Sequence, residues 1–309
     1  MLFRSDSDTG PIIHSSQRQG QCPIGGDTYG VEALQEQRAV LDGIRRACEA
    51  QDIPMEGILK ESAPSQYELN LRHVADPMLA ADHNLLVRRI IRGVAANHGM
   101  VASFMAKPQA DHAGNGMHVH VSVMDDTGAN IFDNGTDRGS DRLRHALAGC
   151  AEHTRDCMAI FAPNINPYRR LQPGCHAPTS ASWGYDNRPV ALRVPASDPA
   201  NTRIEHRLAG SDCNPHLALA AILAAALDGL ERELDPGPPV TGDAYSHSNT
   251  GDLPIEWGEA LNIYAQSEFV RDHLGEVLQR NYSLSKRQEL ATFRADITAL
   301  EYQAYLKNL

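Results

Sequence analysis

Met117-His118-Val119-His120-Val121-Ser122-Val123 alternates strictly between apolar and polar residues. A period of two reads as a β-strand, with Met117, Val119, Val121 and Val123 on one face and His118, His120 and Ser122 on the other. The apolar face asks for a core. The opposite face projects two imidazoles side by side, directly after the glycine-rich turn Gly114-Asn115-Gly116. Alone, the stretch fits either a half-buried strand facing water or a site, because His-x-His on a strand recurs in metal sites but is short enough to arise by chance.

Upstream, Gln66-Tyr67-Glu68-Leu69-Asn70-Leu71 also alternates, placing Glu68 on a polar face, and Glu61 lies one short connection earlier. Two carboxylates held this way suit a hard divalent cation; two solvated glutamates would give the same pattern. Val31, Leu34, Leu41, Ile44 and Cys48 mark one helix that ends at Ile53-Pro54. Asp76-Pro77 caps a second helix running to about Asn97, stopped by His98-Gly99. Val101 to Lys107 reads as a strand. Of the first 30 residues only Met1-Leu2-Phe3 resembles a strand, and then only the end of one.

Downstream, Asp141 to Ile160 reads as a helix. Pro163 to Gly174 is too rich in Pro and Asn for a regular element and carries Arg169 and Arg170. Val190 to Val194 reads as a strand presenting Arg193. Arg203-Ile204-Glu205-His206-Arg207-Leu208 alternates, with Arg203, Glu205 and Arg207 on one face. Such a face could be a surface ion-pair ladder. Following Arg170, Arg188 and Arg193, it points instead to phosphate or carboxylate recognition, for which the planar guanidinium fork is suited. Asp212-Cys213-Asn214-Pro215 caps an alanine-rich helix from His216 to about Glu233. After a loop to about Pro254, three helices are expected: Glu256–Ser267, Phe269–Leu278 and Ser285 to the end. The last is amphipathic through Leu290, Phe293, Ile297, Leu300 and Ala304.

A net charge of -11 argues against a general nucleic-acid binder. The longest apolar run, Leu217 to Leu227, is far short of the about 20 residues of a membrane span, so no membrane partner is expected. Six scattered cysteines without a CxxC pair, and no signal-peptide pattern, read as free thiols in the cytoplasm. Gly25-Gly26 and Gly114-x-Gly116 lack the context of a P-loop or Rossmann fingerprint.

Several ordered motifs resemble the catalytic domain of the glutamine synthetase family. They are Phe104-Met105-Ala106-Lys107-Pro108, Gly114-Asn115-Gly116-Met117-His118-x-His120, Tyr168-Arg169-Arg170-Leu171-x-Pro173-Gly174, Asn187-Arg188 through Arg203-Ile204-Glu205, and Asn214-Pro215-His216-Leu217-Ala218. The resemblance implies an α+β fold, with a curved, largely antiparallel sheet flanked by helices and a helical C-terminal segment. It implies one catalytic domain over 1–309: an irregular segment 1–30, a core 31–235 and C-terminal helices 236–309. It also implies Mg²⁺ or Mn²⁺ held by Glu61, Glu68, His118 and Glu205. Arg188, Arg193 and Arg203 would meet ATP phosphates, with His120 near the nucleotide. Arg170 and Arg207 would meet glutamate carboxylates or the developing phosphoryl group, Gly114 would lie in the glutamate-binding loop, and Arg170, Arg188 and Arg207 form the catalytic set. The implied reaction joins the γ-carboxyl of L-glutamate to an amine through γ-glutamyl phosphate, in a homo-oligomer that is a ring in the family.

Some features depart from the family pattern. Members carry a β-rich N-terminal domain and a Glu-x-Glu strand ahead of the point where this sequence begins. A fragment, a mis-started reading frame or a degenerate paralogue is therefore expected, and a catalytically impaired protein that binds nucleotide or a partner is the alternative reading. Cys175-His176-Ala177-Pro178 stands where glutamine synthetases proper place a flap glutamate that handles ammonium. Together with Ser182 to Arg188, this is more similar to the γ-glutamylpolyamine synthetase branch and favours an organic amine over ammonia. Ser65 stands where Gly is usual, and Ala113 replaces a common Asn.

Overall fold

The computed structural model describes residues 1–4, 13–14, 28–175, 177–246 and 253–306. The Cys22, Gly25-Gly26 and His176 readings lie outside them.

The first part of the chain builds one of two cores. Strand β1 (Leu2–Arg4) pairs antiparallel with β2 (Ile13–His14). Helices α1 (Val31–Glu36) and α2 (Arg38–Glu49) replace the single expected helix, with the break at Gln37. A hairpin of β3 (Met55–Lys60) and β4 (Tyr67–Leu71) follows. Helix α3 (Pro77–Asn97) begins where its sequence predicts, because the Asp76 carboxylate accepts from the Met78 and Leu79 amides. Strand β5 (Val101–Ala102) returns to β1. The core here is Leu2, Val40, Ile44, Cys48, Ile90 and Ala95, with Tyr67, Leu69 and Leu71 packed against it. The alternation in β4 thus reads correctly: its apolar face meets this core, and Glu68 points away from it.

The second core lies under a four-stranded sheet. Strand β6 (Val119–Val121) pairs with β9 (Ile204–His206), β9 with β8 (Leu192–Val194), and β8 with β7 (Trp183–Tyr185). Only the β7–β8 pair is parallel. The expected strand around His118 is shorter than its alternation suggests, since Met117 leaves the ladder to donate to the Ala209 carbonyl (2.8 Å). Val101 to Lys107 is likewise strand only at its first two residues.

Helices α4 (Asp141–Phe161) and α5 (Pro215–Glu231) pack beneath this sheet with backbones in contact. A Cβ on Gly149 would lie 2.0 Å from the Ala225 carbonyl oxygen, and one on Gly229 would lie 2.2 Å from that of His145. The small residues of α5 are what permit this approach. His153 of α4 stacks on Phe269 with ring centroids 3.7 Å apart. Its Nε2 is 2.7 Å from Asp228 Oδ2 of α5.

The C-terminal region differs from expectation. It forms α6 (Trp257–Gln266), α7 (Glu268–Leu274), α8 (Glu276–Ala295) and α9 (Ala299–Tyr305). The break before α8 falls at Gly275, whose φ of 90° only glycine adopts readily. The break before α9 is a capping box, in which Thr298 Oγ1 accepts from the Glu301 amide and Glu301 Oε2 accepts from the Thr298 amide. The expected stripe is therefore split. Leu290 is buried, whereas Phe293, Ile297 and Leu300 are 51%, 61% and 72% exposed. Among the described residues no helix is long and apolar enough to cross a membrane.

Candidate metal and anion site

Glu205 stands at the centre, in the middle of β9, with its side chain only 3% exposed. Its Oε2 accepts from Arg193 Nη1 of β8 at 2.7 Å, and its Oε1 accepts from Arg207 Nη1. Burial alone would raise this carboxyl, but His118 and the Arg207 and Arg193 cations hold it far below the usual carboxylate range. The register pairs His120 with Glu205 across β6 and β9. His118 Nδ1 lies 3.3 Å from Glu205 Oε1 and 3.4 Å from Arg207 Nη1. Desolvation, and the neighbouring Arg207 and Arg170 cations, push the His118 imidazole down to about 4, against the pull of Glu205. It is neutral at pH 7, as a metal ligand must be.

The hairpin carries the other two carboxylates. Glu61 follows the last residue of β3, and Glu68 sits opposite Leu59 in β4. Burial raises the Glu68 carboxyl, and a hydrogen bond to Glu61 plus the Glu61 and Glu205 charges raise it further, partly opposed by Asn70. Glu61 and Glu68 therefore adjoin each other, and Glu68 lies within electrostatic reach of Glu205, which stands beside the neutral His118 imidazole. That donor set fits a hard divalent cation. The four candidate ligands do not close on a single point. Among the described residues, the one group of ligand atoms all within 4.8 Å of one another is Glu152, His153 and Asp228, between α4 and α5. There Arg232 Nη1 already donates to Glu152 Oε1 (2.9 Å) and Asp228 Oδ2 (2.8 Å), so a side-chain cation occupies the place of a metal.

The arginines divide into buried and open sets. Arg170 is buried, and its Nη1 and Nη2 donate to the Leu208 (2.9 Å) and Arg207 (3.0 Å) carbonyls. Burial first, then Arg207, pushes this guanidinium down to about 10. Arg207 Nε donates to the Arg188 carbonyl (2.9 Å). Arg193 also pairs with Asp186, and its Nε is buried without an acceptor. Arg203 Nε donates to His120 Nδ1 at 3.1 Å. Partial desolvation, then the Arg203, Arg193 and Arg207 cations, lowers the His120 imidazole against the pull of Glu205. Arg188 is exposed on a cleft of about 430 Å³ that Tyr185, Asn187 and Val240 also line.

Gly114 lies against Arg170. A Cβ there would be 2.4 Å from the Ala106 carbonyl and 3.0 Å from Arg170 Cγ, and one on Gly116 would be 2.7 Å from Arg170 Nη2. At Gly114 the obstacle is backbone, so a larger residue there requires the chain to shift; at Gly116 it is the Arg170 and His118 side chains that would have to give. Gln66 Nε2 donates to the Gly114 carbonyl and to Asn115 Oδ1, both at 2.8 Å, and so ties this loop to the start of β4. The sequence reading overlooked Gln66, Asn115 and Asp186, although Gln66 stood on the same polar face as Glu68. Ser65, just before it, has a φ of 54°, which explains why glycine suits that position. Of the cysteines, Cys48, Cys150, Cys157, Cys175 and Cys213 are free. Burial raises the Cys48, Cys150, Cys157 and Cys213 thiols.

The family model described as glutamine synthetase, catalytic domain, matches residues 1–305. The chain belongs to the glutamine synthetase family. It is 40% identical over 280 residues to gamma-glutamylputrescine synthetase of Escherichia coli strain K12, covering 91% of this chain and 59% of that protein. It is 33% identical over 298 residues to a glutamate–isopropylamine ligase of Pseudomonas sp, covering 95% and 63%. A solved structure of a GmaS/ADP complex superposes with a TM-score of 0.87 at 29% identity, covering 99% of this chain and 71% of that one. The chain spans about three-fifths of the length of these two curated relatives.

Proposed function

We propose that this chain carries the site of an ATP-dependent carbon–nitrogen ligase that joins the γ-carboxyl of L-glutamate to an amine. The observation that carries the reading is Glu205, buried and held ionised between Arg193 and Arg207 beside neutral His118, with Glu61 and Glu68 converging on the same region. Carboxylates and guanidinium forks assembled together suit a reaction in which a phosphoryl group passes between two anions. Glu61, Glu68, His118 and Glu205 would hold Mg²⁺ or Mn²⁺, which when bound offsets negative charge on the transferring phosphoryl group.

The chain's own residues do the rest. Arg188, Arg193 and Arg203 orient the ATP phosphates. Arg170 fixes the Gly114 loop on which glutamate rests, and Arg207 faces the reacting carboxylate. An oxygen of that carboxylate bonds to the γ-phosphorus as the bond to ADP breaks. The amine nitrogen then bonds to the acyl carbon, inorganic phosphate leaves, and the amine loses a proton.

Similarity to proteins named for putrescine and isopropylamine, with the sequence Cys175-His176-Ala177-Pro178 where glutamine synthetases proper place a flap glutamate, favours an organic amine. The test is phosphate release dependent on both ATP and glutamate, measured across ammonia, monoamines and diamines. Release stimulated more by organic amines than by ammonia is expected. Tight nucleotide binding with no release for any amine, at high Mg²⁺ or Mn²⁺, would replace this reading with that of a nucleotide-binding protein.

A further inference from the structure

Asn166 precedes the short turn Pro167–Arg169 that delivers Arg170. Its carboxamide is used twice on one neighbour: Oδ1 accepts from the Lys107 amide (2.7 Å) and Nδ2 donates to the Lys107 carbonyl (2.8 Å). Lys107 is the residue after Ala106, whose carbonyl accepts from the Asn115 amide (2.7 Å) and would touch any side chain at Gly114. One side chain thus fastens the arginine-bearing turn to the stem of the glycine loop. Asn166 is itself held, since Asn164 Oδ1 accepts from its amide (2.9 Å) and Asn164 Nδ2 donates to Asp212 Oδ2 (2.8 Å). Asp212 lies against Gly210, where a Cβ would be 2.4 Å from Asp212 Oδ1. Gly210 in turn bridges to Gly116, at the far end of the same loop. The series Lys107, Asn166, Asn164, Asp212, Gly210 and Gly116 thus links the turn before Arg170 to both ends of the glycine loop.

We propose that Asn166 is a positioning residue for glutamate recognition, setting the spacing between Arg170 and the Gly114–Gly116 loop while touching no substrate itself. The inference rests on the ligase reading for the identity of the ligand, though not for the placement of the loop. An amide that mimics a strand partner in both directions is replaceable in shape by a carboxylate but not in hydrogen bonding, because the donor to Lys107 O becomes a second acceptor. The loss of that bond, with two oxygens left facing each other, loosens the loop stem without opening a cavity.

The experiment compares the full chain with Asn166→Asp. Amide exchange is read at Asn115 and Met117 against the β9 amides of Ile204 to His206. Kinetics are read as separate KM values for glutamate and ATP. Loss of one buried hydrogen bond corresponds to about a tenfold change, so about tenfold faster exchange at Asn115 and about tenfold higher glutamate KM are expected, with the β9 amides and ATP KM unchanged. Unchanged exchange at Asn115 overturns the proposal, as does a parallel rise in both KM values with accelerated exchange throughout β9. If the parent chain shows no glutamate-dependent turnover, the ligase reading fails and the exchange data alone decide the positioning role. Should Asn166→Asp not fold, Asp212→Ala and Asp212→Asn replace it. The alanine variant loosens Asn115, and the asparagine variant, which still accepts from Asn164, restores it. Equal behaviour of these two variants at Asn115 overturns the proposal.

Discussion

Replacing Glu205 with Gln removes one charge and almost no volume, so its effect measures electrostatics directly. Glu205 accepts from both Arg193 and Arg207 inside the sheet. Arg193 retains Asp186 after the change, but among the described residues Arg207 keeps only the neutral carbonyl of Arg188 and the neutral His118 ring as hydrogen-bond partners. Arg207 is then an uncompensated cation, 8% exposed, next to the still more deeply buried Arg170. Breaking a buried pair from one side costs about 3–5 kcal/mol. The Gln carbonyl still accepts one hydrogen bond, offsetting about 1 kcal/mol. The net expectation for Glu205→Gln is therefore about 2–4 kcal/mol, read by urea unfolding at pH 7 in excess chelator so that no metal contributes. Adding Arg207→Met to the same chain removes the orphaned cation, and much of the lost stability should return. A single variant within about 0.5 kcal/mol of the parent, or a double variant as unstable as the sum of the two single changes, would refute the account of Glu205 as a charge held between guanidinium groups.

Gly149→Ala forces a Cβ to within 2.0 Å of the Ala225 carbonyl and 2.7 Å of the Gly229 Cα, all backbone that cannot rotate away. A cost near the upper end of the about 1–3 kcal/mol range for overpacking should lower Tm by roughly 6 °C, measured by calorimetry. Gly114→Ala meets the Ala106 carbonyl and the Arg170 side chain, so glutamate KM should rise at least about tenfold and the thermal midpoint should fall as well, measured by steady-state kinetics and calorimetry. His153 sits among Asp228, Asp156, Glu152 and Phe269. Burial disfavours its imidazolium, but Asp156, Asp228 and Glu152 outweigh burial and raise it. A raised folded value stabilises below the unfolded value of about 6.5 and is lost as pH rises through the folded value. Stability should accordingly decline from pH 6 to pH 8.5, and the decline should be shallower in His153→Gln; parallel curves would contradict this.

Much of the fold was legible wherever a local signal had one reading. Asp76-Pro77 and Asn214-Pro215 combine a capping side chain with proline at the first helical position, and both helices start there. The C-terminal region was misread because periodicity was followed past two stop signals. Gly275 carries the positive φ that ends α7, and Thr298-x-x-Glu301 is a capping box that starts a new helix inside the supposed stripe. An apolar period of 3.6 persists across such a break by chance, whereas a capping box specifies a boundary through two hydrogen bonds. The strand containing His118 was overextended for a different reason. Alternation describes which way side chains point, but the ladder ends where the Met117 amide turns to the Ala209 carbonyl, a tertiary contact with no trace in the local pattern.

The site divides along the same line. Residues that carry charge announced themselves by type: Glu68, Glu205, Arg203 and Arg207 stand on polar faces of alternating segments, and Glu61, Arg170 and Arg188 in the loops beside them. Residues that hold them did not. Asn164, Asn166 and Gln66 lie in stretches where Asn and Gln are equally expected as solvated loop residues. Their roles depend on the Lys107 and Gly114 backbones being brought against them by distant parts of the chain. The same asymmetry explains Arg170. Its guanidinium looks in sequence like one more anion-binding fork, yet in the fold two of its nitrogens are spent on the Leu208 and Arg207 carbonyls. A guanidinium committed to backbone acceptors fixes the loop and strand it bridges. In the proposed ligase site it would act on an anion as part of a rigid frame, whereas Arg188 is exposed on its cleft. Substitution should separate the two: loss of Arg170 disturbs the geometry around Gly114 and β9 together, and loss of Arg188 weakens anion binding while leaving that geometry intact.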